Sequence, residues 1–154
     1  MTMPVMSSPK FITFHCSATP NLVHYDIEKI RHHHIHTNKW NDIGYHAVIQ
    51  PSGEIQWGRG LTTQGAHVSG ANKDNIGICL IGTDRFTYDQ LWQAKHHALS
   101  IMEAYDIPPW HIRTHYSYPS AREQGKTCPN IRIENLIMWI IWGDVRAIEE
   151  YAIT

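Results

Sequence analysis

The sequence lacks the long apolar runs and the concentrated charge that mark several classes of protein. Its longest uninterrupted apolar run covers only seven residues, Leu136 to Trp142, whereas a membrane-spanning helix needs about 20. Lys and Arg number 13 against 14 Asp and Glu, and they form no basic face that could neutralise phosphates. We therefore predict a protein with no stable membrane insertion and no nucleic-acid partner.

Signals for export and for disulfide formation are also missing. The first ten residues, MTMPVMSSPK, contain no apolar stretch of signal-peptide length, so we expect the chain to be cytoplasmic when it is made. The three cysteines are an odd number, and a reducing compartment does not favour disulfides. Cys16 and Cys79 occupy apolar strand contexts and are interpreted as small core residues.

The chain does have enough apolar residues for one core, together with an unusual number of histidines. Of its 154 residues, 42% are hydrophobic and 18% are charged, which excludes an intrinsically disordered chain. A chain of this length forms one domain more readily than two, and no repeat or linker divides it. We predict a single domain over residues 1–154. Twelve histidines are more than the packing of such a core requires.

Apolar periodicity predicts an α/β fold in the element order β, α, β, β, β, α, β, α. Residues 11–14 and 76–81 have the composition of strands, and the second run is apolar enough to be buried on both faces of a sheet. Residues 45–50 and 54–57 are expected to form a hairpin across a Pro-Ser-Gly turn. The prediction is one mixed central sheet flanked by about three helices.

The three helices are placed by capping and breaking residues. The first is predicted over residues 26–37, where Asp26 can charge the first turn. The second starts after an N-cap at Thr87 and stops before Pro108. The third starts at about Ile131 and is interrupted or ends near Gly143, with a further turn or two expected through Tyr151. The stretch from 116 to 129, rich in Ser, Pro and Gly, is predicted to be a loop.

Two histidines stand where predicted strands end. His15 closes the first strand, and His115 follows the brief strand HIRT at 111–114. Because ligands of open α/β sheets gather at the carboxyl ends of strands, the two side chains are expected to face one crevice. Cys128 lies in the following loop, which is long enough to fold back. Two imidazoles and one thiolate form a set that zinc accepts, with a fourth position left for water.

The residues around Cys128 place a cation beside these ligands. Pro129 disfavours the helical conformation for Cys128, so this segment is expected to be extended. Residues two apart in an extended segment point the same way, which puts Lys126 and Cys128 on one side. Spacing alone makes this a weak site, because lone histidines near strand ends are usually satisfied surface or core residues.

Several sequence segments occur in an order typical of one enzyme family. They are HCSAT at 15–19, WNDIGYH at 40–46, GRG at 58–60, GAHVSGANKDNIGICLIG at 65–82, and RTH with GKTCP within 113–129. Together they resemble the zinc-dependent type-2 N-acetylmuramoyl-L-alanine amidases, a family that includes small lysozyme-type amidases of tailed phages and animal peptidoglycan recognition proteins. The resemblance covers about residues 11–142 and implies one amidase domain with no separate cell-wall-binding domain.

The resemblance implies roles for seven residues. It implies Zn²⁺ ligation by His15, His115 and Cys128, catalytic help from Tyr45 and Lys126, and substrate contact by His34 and His67. Without the resemblance, Tyr45 and His46 would be interpreted as a half-buried pair at the start of a strand. The run from His32 to His36 looks like a metal-binding tract, but on a helix most of its side chains are expected to be solvated.

The resemblance also implies a reaction and a partner. The reaction is hydrolysis of the amide between N-acetylmuramic acid and L-alanine in peptidoglycan, by a phage or prophage endolysin that reaches the cell wall after release. The alternative is a peptidoglycan-binding protein on the same fold that does not cut. Such relatives generally lack the cysteine, whereas this chain has Cys128 together with Lys126 and Tyr45. Two questions stay open: whether Tyr45 or His67 relays the water's proton, and whether an RNA polymerase is also bound.

Overall fold

The computed structural model of the chain describes residues 3–6 and 8–153; residues 1, 2, 7 and 154 of the predicted domain lie outside the described residues. Seven short strands occur in this part of the chain: Phe11–Cys16 (β1), Ala47–Ile49 (β2), Ile55–Trp57 (β3), Asn75–Leu80 (β4), Phe86–Thr87 (β5), Ile112–Thr114 (β6) and Ala152–Ile153 (β7). None of the described helices is long and apolar enough to cross a membrane.

Four α-helices occur among the same residues: Ile27–His32 (α1), Tyr88–Tyr105 (α2), Pro119–Glu123 (α3) and Ile133–Trp142 (α4). A π-helical turn, His33–Thr37, continues α1. The helix α3 lies inside the stretch that the sequence predicted to be a loop. It has only five residues and begins at Pro119, a residue tolerated in a first turn, so it is too short to show an apolar period.

The start of α2 and the end of α4 lie where the sequence predicted them, whereas α4 starts at Ile133, two residues later than predicted. Thr87 caps α2 by accepting a hydrogen bond from the Gln90 N–H at 3.0 Å, and the Gln90 side chain returns to the Thr87 N–H, which satisfies two free donors of the first turn. The helix α4 ends at Gly143 in the left-handed conformation, with φ of 64°. Glycine adopts this conformation without steric cost.

The predicted mixed central sheet is confirmed. Five strands form it in the order β3-β2-β4-β1-β6. The strand β1 pairs in parallel with β4 and β6, and β2 pairs in parallel with β4. Only β3 is antiparallel, because it returns from β2 through the hairpin. Every residue of β4 is buried, as its apolar sequence indicated.

The structure contains a second sheet that the sequence did not predict. It consists of β5 and β7, which pair in parallel through Phe86 with Ala152 and Thr87 with Ile153. Each strand has two residues, so neither can display the alternation by which strands are recognised in a sequence.

Alternate residues of the central strands enter two different layers, as strand geometry requires. Ile12 and Phe14 of β1 belong to the main core, which includes Leu91 of α2 and Leu136 of α4. The side chains at the other alternate positions of the central strands point to the opposite face of the sheet. There a smaller cluster packs beneath α1, formed by Ile27, Ile43, Val48, Cys79 and Ile81. His15 is level with Cys79 on the neighbouring strand, at the edge of this smaller cluster.

Candidate metal centre

The sheet brings His15 and His115 together. Phe14 of β1 pairs in register with Thr114 of β6, and the strands are parallel. The next residue of each chain segment is therefore a histidine at the same carboxyl end, and the two ring centroids lie 4.5 Å apart. This is the arrangement that the positions of the two strand ends predicted.

Cys128 reaches the two histidines from a loop that is fastened at both sides. Its carbonyl accepts a hydrogen bond from the Tyr116 N–H at 3.0 Å, and the Asn130 N–H closes a turn to the Thr127 carbonyl at 3.1 Å. The Asn130 side chain in turn donates to the Thr83 carbonyl at 2.8 Å. The predicted extended segment is thus a turn around a cis bond between Cys128 and Pro129.

The three side chains fit a tetrahedral metal ion. The Sγ atom of Cys128 lies 3.2 Å from Nδ1 of His115 and 3.9 Å from Nδ1 of His15. Zinc with Zn–S of about 2.3 Å and Zn–N of about 2.0–2.1 Å would place a nitrogen and a sulfur ligand about 3.6 Å apart. Within the described residues, this is the one group of three or more metal-binding side chains, with ligand atoms within 4.8 Å of one another.

The surroundings of Cys128 favour the deprotonated form of its thiol. The neighbouring Cys16 thiol, and then a hydrogen bond with His115 at 3.2 Å, favour the thiolate and hold the pKa of Cys128 well below that of an ordinary thiol, against the opposing effect of burial. The neighbouring Cys128, together with burial, raises the pKa of Cys16. Cys128 is therefore the thiolate of the pair, and thiolate is the form in which cysteine binds metals.

Tyr45 and His34 lie next to the three candidate ligands. The Tyr45 ring centroid is 5.1 Å from that of His15 and 5.5 Å from that of His34. Burial is the main effect that raises the pKa of Tyr45 well above its usual value, so the phenol keeps its proton. Burial and then the charges of His33 and Arg59 lower the pKa of His34 to about 4.

His34 is neutral, and its hydrogen-bond partner fixes where its proton sits. Its Nδ1 accepts a hydrogen bond from the Gly44 N–H at 2.8 Å, so the ring proton is on Nε2. The π-helical turn that carries His34 leaves its neighbours His32, His33 and His36 exposed. The histidine-rich run is therefore mostly solvated, as the sequence predicted.

All these groups surround one cleft of about 920 Å³. Six of the seven residues predicted for the site line it, namely His34, Tyr45, His67, His115, Lys126 and Cys128. The seventh, His15, is 1% exposed and lies behind the others, in contact with their rings. Lys126 is exposed at the rim, and its N–H donates to the Ala121 carbonyl of α3 at 2.9 Å.

One family sequence model matches most of the chain. The sequence model of the N-acetylmuramoyl-L-alanine amidase family matches residues 5–131, which include all seven predicted site residues. The chain belongs to this family. The match covers the five-stranded sheet and the cleft, and it confirms the resemblance seen in the sequence motifs.

Relatives of this amidase-family chain include phage and animal proteins. It is 38% identical over 71 residues to the endolysin of Klebsiella phage KP32, covering 46% of each chain, and shows the same identity and coverage with the endolysin of Escherichia phage T7. It is 30% identical over 118 residues to peptidoglycan-recognition protein SC2 of Drosophila melanogaster, covering 75% of this chain and 63% of that protein. The matched segment thus spans about half the length of the phage relatives.

Solved structures share the fold of the amidase-family chain. The N-acetylmuramoyl-L-alanine amidase LysC from Clostridium intestinale superposes with a TM-score of 0.67 at 22% identity, over 82% of this chain and 95% of that one. A complex of the peptidoglycan recognition proteins LCa and LCx with tracheal cytotoxin superposes with a TM-score of 0.70 at 19% identity, over 79% and 80% of the chains.

Two features of the amidase-family site were beyond the sequence prediction. Cys16 is 5% exposed and packs in the main core, as predicted, but it also lines the same cleft as Cys128. The carbonyl of Asn75 accepts a hydrogen bond from the His67 ring at 2.8 Å. A backbone carbonyl carries no side-chain signal, so no sequence pattern could have identified its role.

The buried histidine His46 gives the folded protein a predictable sensitivity to acid. Its Nδ1 accepts from the Gly77 N–H and its Nε2–H donates to the Thr63 carbonyl, so the ring is neutral. Burial, assisted by the Arg59 charge, lowers the pKa of His46 from 6.5 to about 4. Between about pH 6.5 and 4, His46 therefore binds a proton in the unfolded chain but not in the folded chain. The free energy of unfolding falls as the pH drops through this interval.

We expect His46→Gln to reduce this acid sensitivity. In that interval the free energy of unfolding should fall less steeply with decreasing pH than in the wild type. The two slopes should differ by about 1.4 kcal/mol per pH unit. Urea unfolding at several pH values measures the two slopes. His24→Gln is the control, since His24 is exposed and solvated in both states. Equal slopes for His46→Gln and the wild type would contradict the prediction.

Proposed function

We propose that this chain is a zinc-dependent hydrolase of the amide bond between N-acetylmuramic acid and L-alanine in peptidoglycan. It would act as a phage or prophage endolysin on the cell wall, after release from the cell that makes it. The observation that carries the proposal is the ligand set of His15, His115 and Cys128 inside a cleft of about 920 Å³. The cleft is in the size range of sites that enclose small ligands.

Zinc held by these three side chains would supply Lewis acidity towards the scissile carbonyl and would acidify a water molecule. His15 fits this role because burial lowers its pKa and keeps the imidazole neutral, the form that binds metals. The thiolate of Cys128 supplies the one negative charge among the ligands. It offsets one of the two positive charges of the ion, which weakens the electrophile compared with a site made of histidines alone.

Tyr45 and His34 are suited to donate hydrogen bonds rather than to accept protons. The raised pKa of Tyr45 keeps its O–H in place at neutral pH, so it can donate to the oxygen of the carbonyl under attack. The Nε2–H of His34 is left free by the bond that its Nδ1 accepts. Of the two candidates for relaying the water's proton, Tyr45 is therefore disfavoured as a base.

Lys126 would supply the second positive charge that the reaction needs. Negative charge develops on the carbonyl oxygen during attack by water, and a cation placed there stabilises the transition state. Lys126 lines the same cleft as Cys128 and is tied to the end of α3 through its backbone. The ammonium group can therefore reach into the cleft while the backbone beside Cys128 stays in place.

The proposed activity is tested by digestion of purified peptidoglycan. The expected product is a stem peptide with a free L-alanine amino group, alongside glycan strands that are uncut, both identified by mass spectrometry. A chelator should abolish the release, and added zinc should restore it. New reducing sugar ends would instead indicate a glycosidase, which usually works through a pair of carboxylates.

A protein that binds peptidoglycan without cutting it is the second candidate. The observation that favours it is the shared fold with recognition proteins, one of which was solved with tracheal cytotoxin. The thiolate of Cys128 beside two histidines argues for the enzyme, because a binding site has no need of a metal-ligand set. Sedimentation of the protein with peptidoglycan, with no stem peptide released in the presence of zinc, would establish the binding role.

A further inference from the structure

His67 is held more rigidly than a side chain that adapts to a substrate. Its ring occupies a slot between two glycines: a Cβ atom on Gly77 would lie 2.7–2.9 Å from three ring atoms, and one on Gly65 would lie 2.8 Å from Cδ2. The Asn72 side chain accepts hydrogen bonds from the N–H groups of His67 and Val68, both at 2.8 Å. The ring position is thus fixed by its own loop and by the strand β4.

The partners of the His67 ring determine where its proton lies. Nε2 is 2.8 Å from the carbonyl oxygen of Asn75, and a carbonyl can only accept, so Nε2 carries the proton. The ring is only 8% exposed, and its two partners are a carbonyl and another imidazole rather than a carboxylate, so it is neutral and its Nδ1 has only a lone pair. That lone pair faces Nε2 of His15 at 2.9 Å.

The same reasoning then fixes the proton of His15. Because Nδ1 of His67 can only accept, Nε2 of His15 must donate and must carry the proton. A neutral His15 then has a lone pair on Nδ1, the atom that lies 3.9 Å from the Cys128 sulfur. In the other tautomer a proton would occupy the position where the metal binds.

We propose that His67 is a positioning residue that holds His15 in the tautomer and orientation needed to bind zinc. The proposal rests on the proposed function for the identity of the metal. Both ring nitrogens of His67 are engaged, so the ring has no polar atom left for a substrate. The geometry therefore favours this role over the substrate contact that the sequence resemblance implied. The chain from the Asn75 carbonyl through His67 to His15 orients the ligand as outer-shell partners of zinc-bound histidines do.

The variant His67→Phe tests the proposal because it keeps an aromatic ring in the slot and removes both hydrogen bonds. Zinc affinity, measured by competition with a chromophoric chelator, is expected to fall by about 10- to 100-fold. His67→Gln offers an acceptor oxygen and a donor N–H, and it should recover most of this loss. His97→Gln is the matched control: its half-buried ring packs against Trp57 outside the cleft lining, so its loss should leave zinc affinity unchanged.

The tautomer itself is measured by nitrogen NMR of the histidine rings in the zinc-free protein. The wild type should show His15 protonated on Nε2, and His67→Phe should show both tautomers. Protonation of His15 on Nδ1 in the wild type would overturn the proposal, even if His67→Phe does not fold. A folded His67→Phe that binds zinc as tightly as the wild type would overturn it as well.

These readouts separate the inference from the proposed function. If the wild type binds zinc but releases no stem peptide, the proposed amidase activity is contradicted and the proposed role of His67 is not. A wild type that cleaves peptidoglycan, combined with a His67→Phe variant of unchanged zinc affinity, would remove the role of His67 and leave the amidase.

Discussion

Cys128→Ser is expected to lose zinc and amidase activity together, with zinc affinity reduced by more than about 100-fold. The reason is the character of the ligand: a neutral hydroxyl is a far poorer ligand than a thiolate. The loss should exceed the 10- to 100-fold effect typical of a residue that only supports a ligand. Cys128 lies 3.2 Å from His115, so its removal leaves two histidines, which are too few to hold zinc firmly.

Zinc content after gel filtration and the rate of stem-peptide release should be measured on the same sample of Cys128→Ser. Cys79→Ala is the matched control, because its thiol packs in the smaller core cluster and is fully buried. That variant should lose some stability but keep one zinc per chain. A Cys128→Ser protein that retains zinc and full activity would remove Cys128 from the metal centre.

Lys126→Met is expected to retain zinc and to lose turnover by about 10²–10³-fold, the usual scale for one lost oxyanion donor. Methionine keeps much of the length of the lysine side chain and removes only the charge. The remaining ligands are untouched, since an exposed ammonium at the cleft rim is not part of the set that binds the metal. The loss should fall on kcat, because the charge acts when the carbonyl oxygen becomes negative.

The Lys126→Met experiment is informative because zinc content and the rate of stem-peptide release are measured separately. Lys126 and Cys128 share one loop, so a distorted loop would reduce zinc content and rate together, whereas loss of the charge alone reduces only the rate. Lys73→Met serves as the control, because Lys73 is an exposed cation outside the cleft lining. If Lys126→Met cleaves peptidoglycan at the wild-type rate with zinc bound, then the second positive charge is not needed.

Much of this protein was determined by local features of its sequence. The apolar run of β4, the capping residues of α2 and the glycine that ends α4 act on neighbours within about four positions, so they predicted these elements directly. The site was partly predictable for a similar reason. His15 and His115 end two strands, and the parallel pairing of β1 with β6 necessarily brings such strand ends to one edge of the sheet.

Only the tertiary structure determined the contacts and hydrogen bonds within the site. Groups from different elements place Cys16 and Cys128 in one cleft lining, leave the slot for His67 between Gly65 and Gly77, and determine which nitrogen of His15 carries the proton. His15 and His67, for example, are 52 positions apart. A tautomer is set by which atom accepts which proton at about 2.9 Å, and that distance exists only after the strands and loops have packed. Residue types indicated a candidate metal site, whereas the packed fold determined which nitrogen of His15 faces that site.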